Sequence, residues 1–467
     1  MKRFCAFVVI MFFGSAKANI ILPSILNNNM VLQQRLAVTL WGWGNPGEVV
    51  KVTNTWNNAI DSATTNANAH WQLTIQTPAV GGPYQINFKG YNSITLTNVF
   101  IGEVWLCSGQ SNMEMNEQWG LPDVKAVLPH ACNPNIRFFT VAKSAANCPQ
   151  QDVKGTWVSC DAANLQTFSA AAYFFGKKLQ DSLHVPIALI NASWGGTPAE
   201  VWTPDSIIRM DEELLMAAKK QKPSKFWPHE PGVAFNAMIA PIARFAIAGA
   251  IWYQGETNTA YPYTYAKLFT EMMGTWRKAW KYNFSFYYVQ IAPFAYGKPY
   301  AGALLQEQQS KAAAYPNVGM VVITDLVTDT SNIHPKNKHD VGDRLANWAL
   351  AKNYEWKHIT CQSPHLKNVI INSDKVLLSF EDTGGGLLIK GANVQQIWVA
   401  GADKVFYPAA ANIEGNQLMV WSSKVQHPIA VRYAFGNTAI GNLFGSNHLP
   451  VIAFRTDNWK LNAANNK

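Results

Sequence analysis

Charge is scarce in this 467-residue sequence, with Asp, Glu, Lys and Arg together making up 14% of it. The 38 Lys and Arg outnumber the 29 Asp and Glu, yet they are scattered, with no basic run interleaved with aromatics. That absence argues against a nucleic-acid partner, whose phosphates call for a clustered basic face. The formal excess of +9 is left to attract acidic glycans or simply to keep the protein in solution. No C-x-x-C pair and no H-E-x-x-H or similar ligand spacing occurs, which argues against zinc or dithiol redox chemistry. Internal repeats and long linkers are missing too. Beyond residue 18 no uninterrupted apolar stretch approaches the roughly 20 residues that span a bilayer. What remains is a globular composition, 48% hydrophobic, in a chain too long for one compact core. Two or three domains are expected.

The first 18 residues stand apart. Met1-Lys2-Arg3 is followed by an apolar run over 4–13 and then by small residues ending Ala16-Lys17-Ala18. A basic start, a short apolar core and an A-x-A site are the parts of a secretory signal peptide. No Cys follows the cleavage site, which argues against a lipid anchor there, so a secreted or periplasmic protein, free of the membrane after cleavage, is expected. Cys5 lies in this segment, leaving Cys107, Cys132, Cys148, Cys160 and Cys361. The odd number requires one thiol that is free or paired between chains. The closeness of Cys132, Cys148 and Cys160 suggests a disulfide among them, whereas Cys107, in an apolar run, reads as a buried free thiol.

Three rhythms follow one another along the rest. Over 19–98 short alternating runs (38–41, 49–52, 71–75 and 84–88) are separated by Asn, Gly and Pro clusters, the pattern of a small β-sandwich. Over 99–356 strand-length apolar runs (103–107, 187–190, 250–253, 286–291 and 320–324) alternate with segments of helical period (170–183, 263–280, 304–314 and 341–351). Such alternation predicts an α/β domain, a parallel sheet with helices on both faces. Over 357–467 strands return at 369–371, 376–380, 396–400, 417–421 and 429–433, predicting a second β domain. The 18 Trp suit large aromatic cores in such domains, or a few of them a sugar-binding cleft.

Open parallel sheets bind ligands beyond the carboxyl ends of their strands, and four of the predicted strands end in loops of unusual polarity. Ser108-Gly109-Gln110-Ser111-Asn112-Met113 presents a serine just past a buried strand, where a nucleophile can meet substrate. It is not the G-x-S-x-G elbow, because Met113 stands in place of the second glycine. Asn191-Ala192-Ser193-Trp194-Gly195-Gly196-Thr197-Pro198 offers adjacent glycines whose N–H groups can approach an oxyanion closely. Gln254-Gly255-Glu256-Thr257-Asn258 adds a side-chain amide. Asp325-Leu326-Val327-Thr328-Asp329-Thr330-Ser331-Asn332-Ile333-His334-Pro335 supplies a histidine in general-base position with acids upstream. Each loop alone is an ordinary strand–helix turn. Together, at one sheet edge, they amount to a nucleophile, two oxyanion donors and a base, the kit for acyl transfer through a covalent intermediate.

These motifs, with Trp252-Tyr253 before the third and Pro335-Lys336-Asn337-Lys338 after the fourth, closely resemble the sialate O-acetylesterase family, a branch of the SGNH hydrolases. Asn29-Met30-Val31-Leu32-Gln33-Gln34, Val341-Gly342-Asp343-Arg344-Leu345-Ala346 and Phe454-Arg455-Thr456-Asp457 extend the likeness over nearly the whole chain. The resemblance implies an SGNH-type α/β domain flanked by β-sandwich-like domains and a serine esterase acting on O-acetyl groups of carbohydrates through an acetyl-serine intermediate. It makes Ser111 the nucleophile and His334 the base. Gly196, or its neighbour Gly195, and Asn258 would join the Ser111 N–H in the oxyanion hole. Relatives often carry Asp three residues before the histidine, but Ser331 stands there, and Asn332 occupies a position where they tend to have Asp. Asp329 is the nearest acid and the choice for orienting the imidazole, with a Ser–His dyad helped by a backbone carbonyl as the alternative. No cofactor is implied. The partner is an acetylated glycan or a free O-acetylated sugar, with 9-O-acetyl sialic acid balanced against acetylated xylan or other plant polysaccharides. Two rival readings remain, a non-catalytic glycan-binding protein and a lipase or thioesterase. The joint presence of Ser111, Asn258 and His334 argues against the first. The flanking β domains and many Trp favour sugar over the second.

Overall fold

The computed structural model describes residues 19–461; the expected signal segment, with Cys5, lies outside the described residues. Seven strands come first: β1 (Val31–Gln33), β2 (Ala37–Trp43), β3 (Val49–Asn54), β4 (Ile60–Thr64), β5 (His70–Gln76), β6 (Gly81–Lys89) and β7 (Ser93–Gly109). β2 pairs antiparallel with β5, β3 with β4 and β6, and β6 with β7. The alternation read in the sequence puts Val38, Leu40, Val50, Val52, Trp71, Leu73, Ile75, Ile86 and Phe88 in the core, as the period of two in a half-buried strand requires.

The boundary expected after residue 98 falls inside β7, which runs unbroken for 17 residues. Its first half alternates between buried and exposed and pairs with β6. Residues 101–109 are all buried, and they lie between two parallel neighbours, β10 (Ile187–Ser193) and β11 (Gly249–Tyr253). One strand thus joins the N-terminal β layer to the central sheet. That sheet has the order β13–β12–β11–β7–β10–β8–β9, with β8 (Asn133–Thr140), β9 (Trp157–Cys160), β12 (Ser285–Val289) and β13 (Val318–Val321). It is parallel except for β9, which runs antiparallel to β8. β8 and β9 are absent from the sequence expectation, because Pro134, Asn135 and Arg137 break the apolar run that would have marked β8.

Helices cover both faces as expected. After the single turn α1 (Ser111–Glu114) come α2 (Ala170–Leu183), α3 (Tyr265–Trp280), α4 (Ala301–Ala312) and α5 (His339–Lys352). α2 matches its predicted span at both ends: the Ser169 hydroxyl accepts the Ala172 N–H, and His184 leaves the helix in the left-handed conformation. Successive residues of each central strand point to opposite faces. Trp105, Cys107, Leu189, Ile251 and Tyr287 pack with Phe174, Phe175 and Leu345 of α2 and α5. Val104, Leu106, Ile190, Trp252 and Phe286 pack with Phe269, Met272 and Trp276 of α3.

The C-terminal region folds as antiparallel sheets around Val376, Leu378, Phe380, Val399, Leu418, Val420 and Val431. It is tied to the central domain by Arg455, whose guanidinium grips Glu307 of α4 with two bonds of 3.0 Å. The expected disulfide is not formed: Cys107, Cys132, Cys148, Cys160 and Cys361 are all free. Cys160 turns into the core against the Ala131 carbonyl at 3.6 Å, while Cys132 and Cys148 face solvent. Among the described residues no helix is long and apolar enough to cross a membrane.

Candidate active site

At the carboxyl edge β7, β10 and β11 end side by side. Gly109 closes β7 with φ +138, and a Cβ there would lie 2.2 Å from the Tyr253 carbonyl oxygen. Only glycine lets the adjacent strands approach so closely. Its own carbonyl accepts the Trp194 N–H at 3.0 Å, and the next residue, Gln110, donates its N–H to Tyr253 at 3.0 Å. The chain then turns into α1, whose first residue is Ser111. The Ser111 N–H heads this helical turn, and no acceptor among the described residues takes it.

The loop after β13 brings His334 to Ser111, with Nε2 2.9 Å from Oγ. The His334 N–H is held by the Asn332 side-chain oxygen at 2.9 Å, and the Trp119 ring meets the imidazole edge-on at a centroid distance of 5.2 Å. The imidazole is half-buried. Burial pushes its pKa below the ordinary 6.5, and the Lys338 ammonium adds to that depression. Asp329 is turned elsewhere. Its Oδ1 accepts both the N–H and the hydroxyl of Ser331, at 2.8 and 2.6 Å, bonds that hold its carboxyl below the usual range at an exposed position. Among the described residues no carboxylate bonds the His334 ring.

The glycine turn after β10 lies against Ser111, where a Cβ on Gly195 would be 3.4 Å from Ser111 Cβ. The Gly195 N–H is taken by Glu114 Oε2 at 2.5 Å. Gly196 is left-handed, with φ +79 and the Trp227 ring packed where its Cβ would be. Its carbonyl accepts the Thr257 hydroxyl at 2.9 Å, and no acceptor among the described residues takes its N–H.

Asn258 faces inward. Its Nδ2 donates to Glu200 at 2.8 Å, and its Oδ1 accepts the Ala199 N–H at 2.9 Å and Gln254 at 2.8 Å. Burial pushes the Glu200 carboxyl up, and hydrogen bonds from Asn258 and Gln221 oppose that. The structure therefore brings Ser111, His334 and the Gly195–Gly196 turn together, and gives the Asn258 amide and the Asp329 carboxylate other partners.

Sequence reasoning assigned no role to four residues that crowd the site. Glu114 lies one helical turn past Ser111, a spacing that could have flagged it. Asn112, Glu256 and Lys338 form a buried polar cluster directly beneath. Lys and Glu are ordinarily exposed, so nothing in their local sequence announces that burial.

Comparison with known proteins converges on one family. Residues 101–351 match the family described as carbohydrate esterase, sialic acid-specific acetylesterase. The sialate O-acetylesterase of Rattus norvegicus is 30% identical over 426 residues, spanning 76% of this chain and 78% of its own. The Homo sapiens sialate O-acetylesterase is 29% identical over 402 residues, spanning 76% and 75%. A crystal structure of a carbohydrate acetylesterase from Xanthomonas citri superposes with a TM-score of 0.86 at 34% identity, covering 94% of this chain and all of that one.

Proposed function

Since the chain belongs to the sialic acid-specific acetylesterase family and is a carboxylic ester hydrolase acting on O-acetyl esters of carbohydrates, we propose that it works through an acetyl-Ser111 intermediate formed by a Ser111–His334 dyad. The observation that carries this reading is the 2.9 Å contact between His334 Nε2 and Ser111 Oγ at the carboxyl edge of the sheet. His334 removes the Ser111 proton as Oγ attacks the acetyl carbonyl. The Ser111 and Gly196 N–H groups, free of other acceptors, receive the oxyanion, and Gly195 is held aside by Glu114. The sugar alcohol departs with the proton from His334. Water, activated by the same imidazole, then releases acetate. Asn258 supports this hole from behind by fixing the segment at Ala199 that follows the glycine turn.

The sugar is one bearing a carboxylate, as sialic acid does. Supporting this, Lys219, Lys220, Lys222 and Lys225 are exposed on the segment leading to Trp227, which covers Gly196. The relatives named as sialate O-acetylesterases point the same way. The three-part N-terminal segment supports export, placing the enzyme where extracellular glycans are met. Acetate release by the mature protein from O-acetylated sialic acid and from acetylated xylan tests this, with Ser111→Ala and His334→Ala alongside. The expected result is faster release from the sialic acid, abolished in both variants. Release that survives Ser111→Ala would overturn the mechanism, and faster release from xylan would overturn the substrate.

A further inference from the structure

The buried cluster beneath Ser111 has an arrangement that packing alone does not call for. Asn112 directly follows the serine, and Ile333 directly precedes the histidine. The Asn112 Nδ2 donates to the Ile333 carbonyl at 3.1 Å and to Glu256 Oε1 at 2.6 Å, while its Oδ1 accepts from Lys338 Nζ at 2.7 Å. One amide therefore holds both ends of the short loop that carries His334. Neither the amide nor its partners can be exchanged without loss: the ammonium only donates and the carbonyl only accepts, so a flipped Asn112 would face both wrongly. Asn112 and Lys338 are 0% exposed and Glu256 5%, so these bonds act where water does not compete.

Resting on the reading of Ser111 as nucleophile and His334 as base, we propose that Asn112 is the positioning residue that sets the Ser111–His334 geometry, with Lys338 and Glu256 as its buried ionic supports. It performs through the backbone the orienting task that a carboxylate on the imidazole performs in a triad. The charged and titratable groups around Lys338 are Glu256 from the loop after β11, Asp123, whose carboxylate takes the Lys338 N–H at 2.7 Å, the Tyr253 ring at 5.0 Å, and His334 on its own loop. Burying charged side chains is costly, and the second carboxylate oxygen of Glu256 has no partner. A cluster so costly is better explained by what it holds in place. Burial pushes the Lys338 amine down to about 7, with Glu256 and Asp123 opposing that fall. In the acid range, where it is charged, it disfavours an imidazolium next to it.

The test measures kcat, KM and the pH dependence of acetate release from O-acetylated sialic acid, with thermal unfolding of each variant and Ser111→Ala as control. In Asn112→Ala kcat should fall about 100-fold, the scale of a misplacement of roughly 1 Å, with KM little changed. In Lys338→Met kcat should fall, and the acid limb of the pH profile should move to higher pH, because a cation that depressed the imidazole pKa is gone. A purely structural residue would not move that limb. Folded variants with wild-type kcat and an unmoved limb would overturn the proposal. If neither variant folds, Glu256→Gln decides. It keeps an acceptor for Asn112 but removes a charge that opposes the fall of the Lys338 pKa by burial. Less of the amine is then charged, so the limb should again move up, and an unmoved limb overturns the proposal. Activity surviving in Ser111→Ala would instead sink the nucleophile assignment on which the proposal rests.

Discussion

The Glu114 carboxylate accepts the Gly195 N–H at 2.5 Å with one oxygen and the Lys143 ammonium at 2.5 Å with the other. The helical turn that begins with Ser111 thereby also holds the glycine turn beside it. A hydrogen bond to a charged group is worth about 1.5–3 kcal/mol. Glu114→Ala should therefore lower kcat about 10- to 100-fold by releasing the turn, and Glu114→Gln, which keeps an acceptor oxygen, should lose less. Steady-state kinetics on both variants checks this, and equal losses would point to the charge instead of the bond.

The pH profile should reflect the depressed His334 pKa. The base must be neutral to act, so activity falls as pH drops through that pKa. Burial, helped by Lys338, places it below 6.5, so the acid limb of kcat/KM should lie below pH 6.5. A limb at or above that value would mean that the imidazole is more exposed, or faces an anion, in the working enzyme.

Asp329→Ala should leave kcat near that of wild type, because the carboxylate touches Ser331 and not the His334 ring. Its carboxylate serves Ser331 at an exposed position. A triad acid would show a loss of about 10⁴-fold. A fall of that size on rate measurement would restore Asp329 as the third member.

Asn258→Ala should cost stability more than rate. It leaves the buried Glu200 with fewer donors, a loss of about 1–3 kcal/mol, to be seen as a lower denaturation midpoint at unchanged m-value. kcat should fall by less than the 100-fold or more expected for a missing oxyanion donor. The reverse pattern would put the amide in the hole.

Much of the layout was legible because it is local. Apolar runs of strand length had to be buried, helical periods had to lie between them, and polar loops at strand ends had to meet at one edge. Ser111, the Gly195–Gly196 turn and His334 are each the direct continuation of a strand or its loop, so their neighbourhood follows from connectivity. β8 was hidden because its polar residues break the run, and the continuity of β7 because its alternation changes midway. Where the loops point is a different kind of question. Asn258 turns to Glu200 and Lys338 goes under the site to Asn112, each choosing a partner distant in sequence, while Asp329 turns back to its near neighbour Ser331. The sequence by itself determined the reaction class, through which side chains stand at the ends of buried strands. Only the tertiary structure decided which polar groups are left free to face substrate, because a buried donor or acceptor must be satisfied and its partner is set by packing across elements.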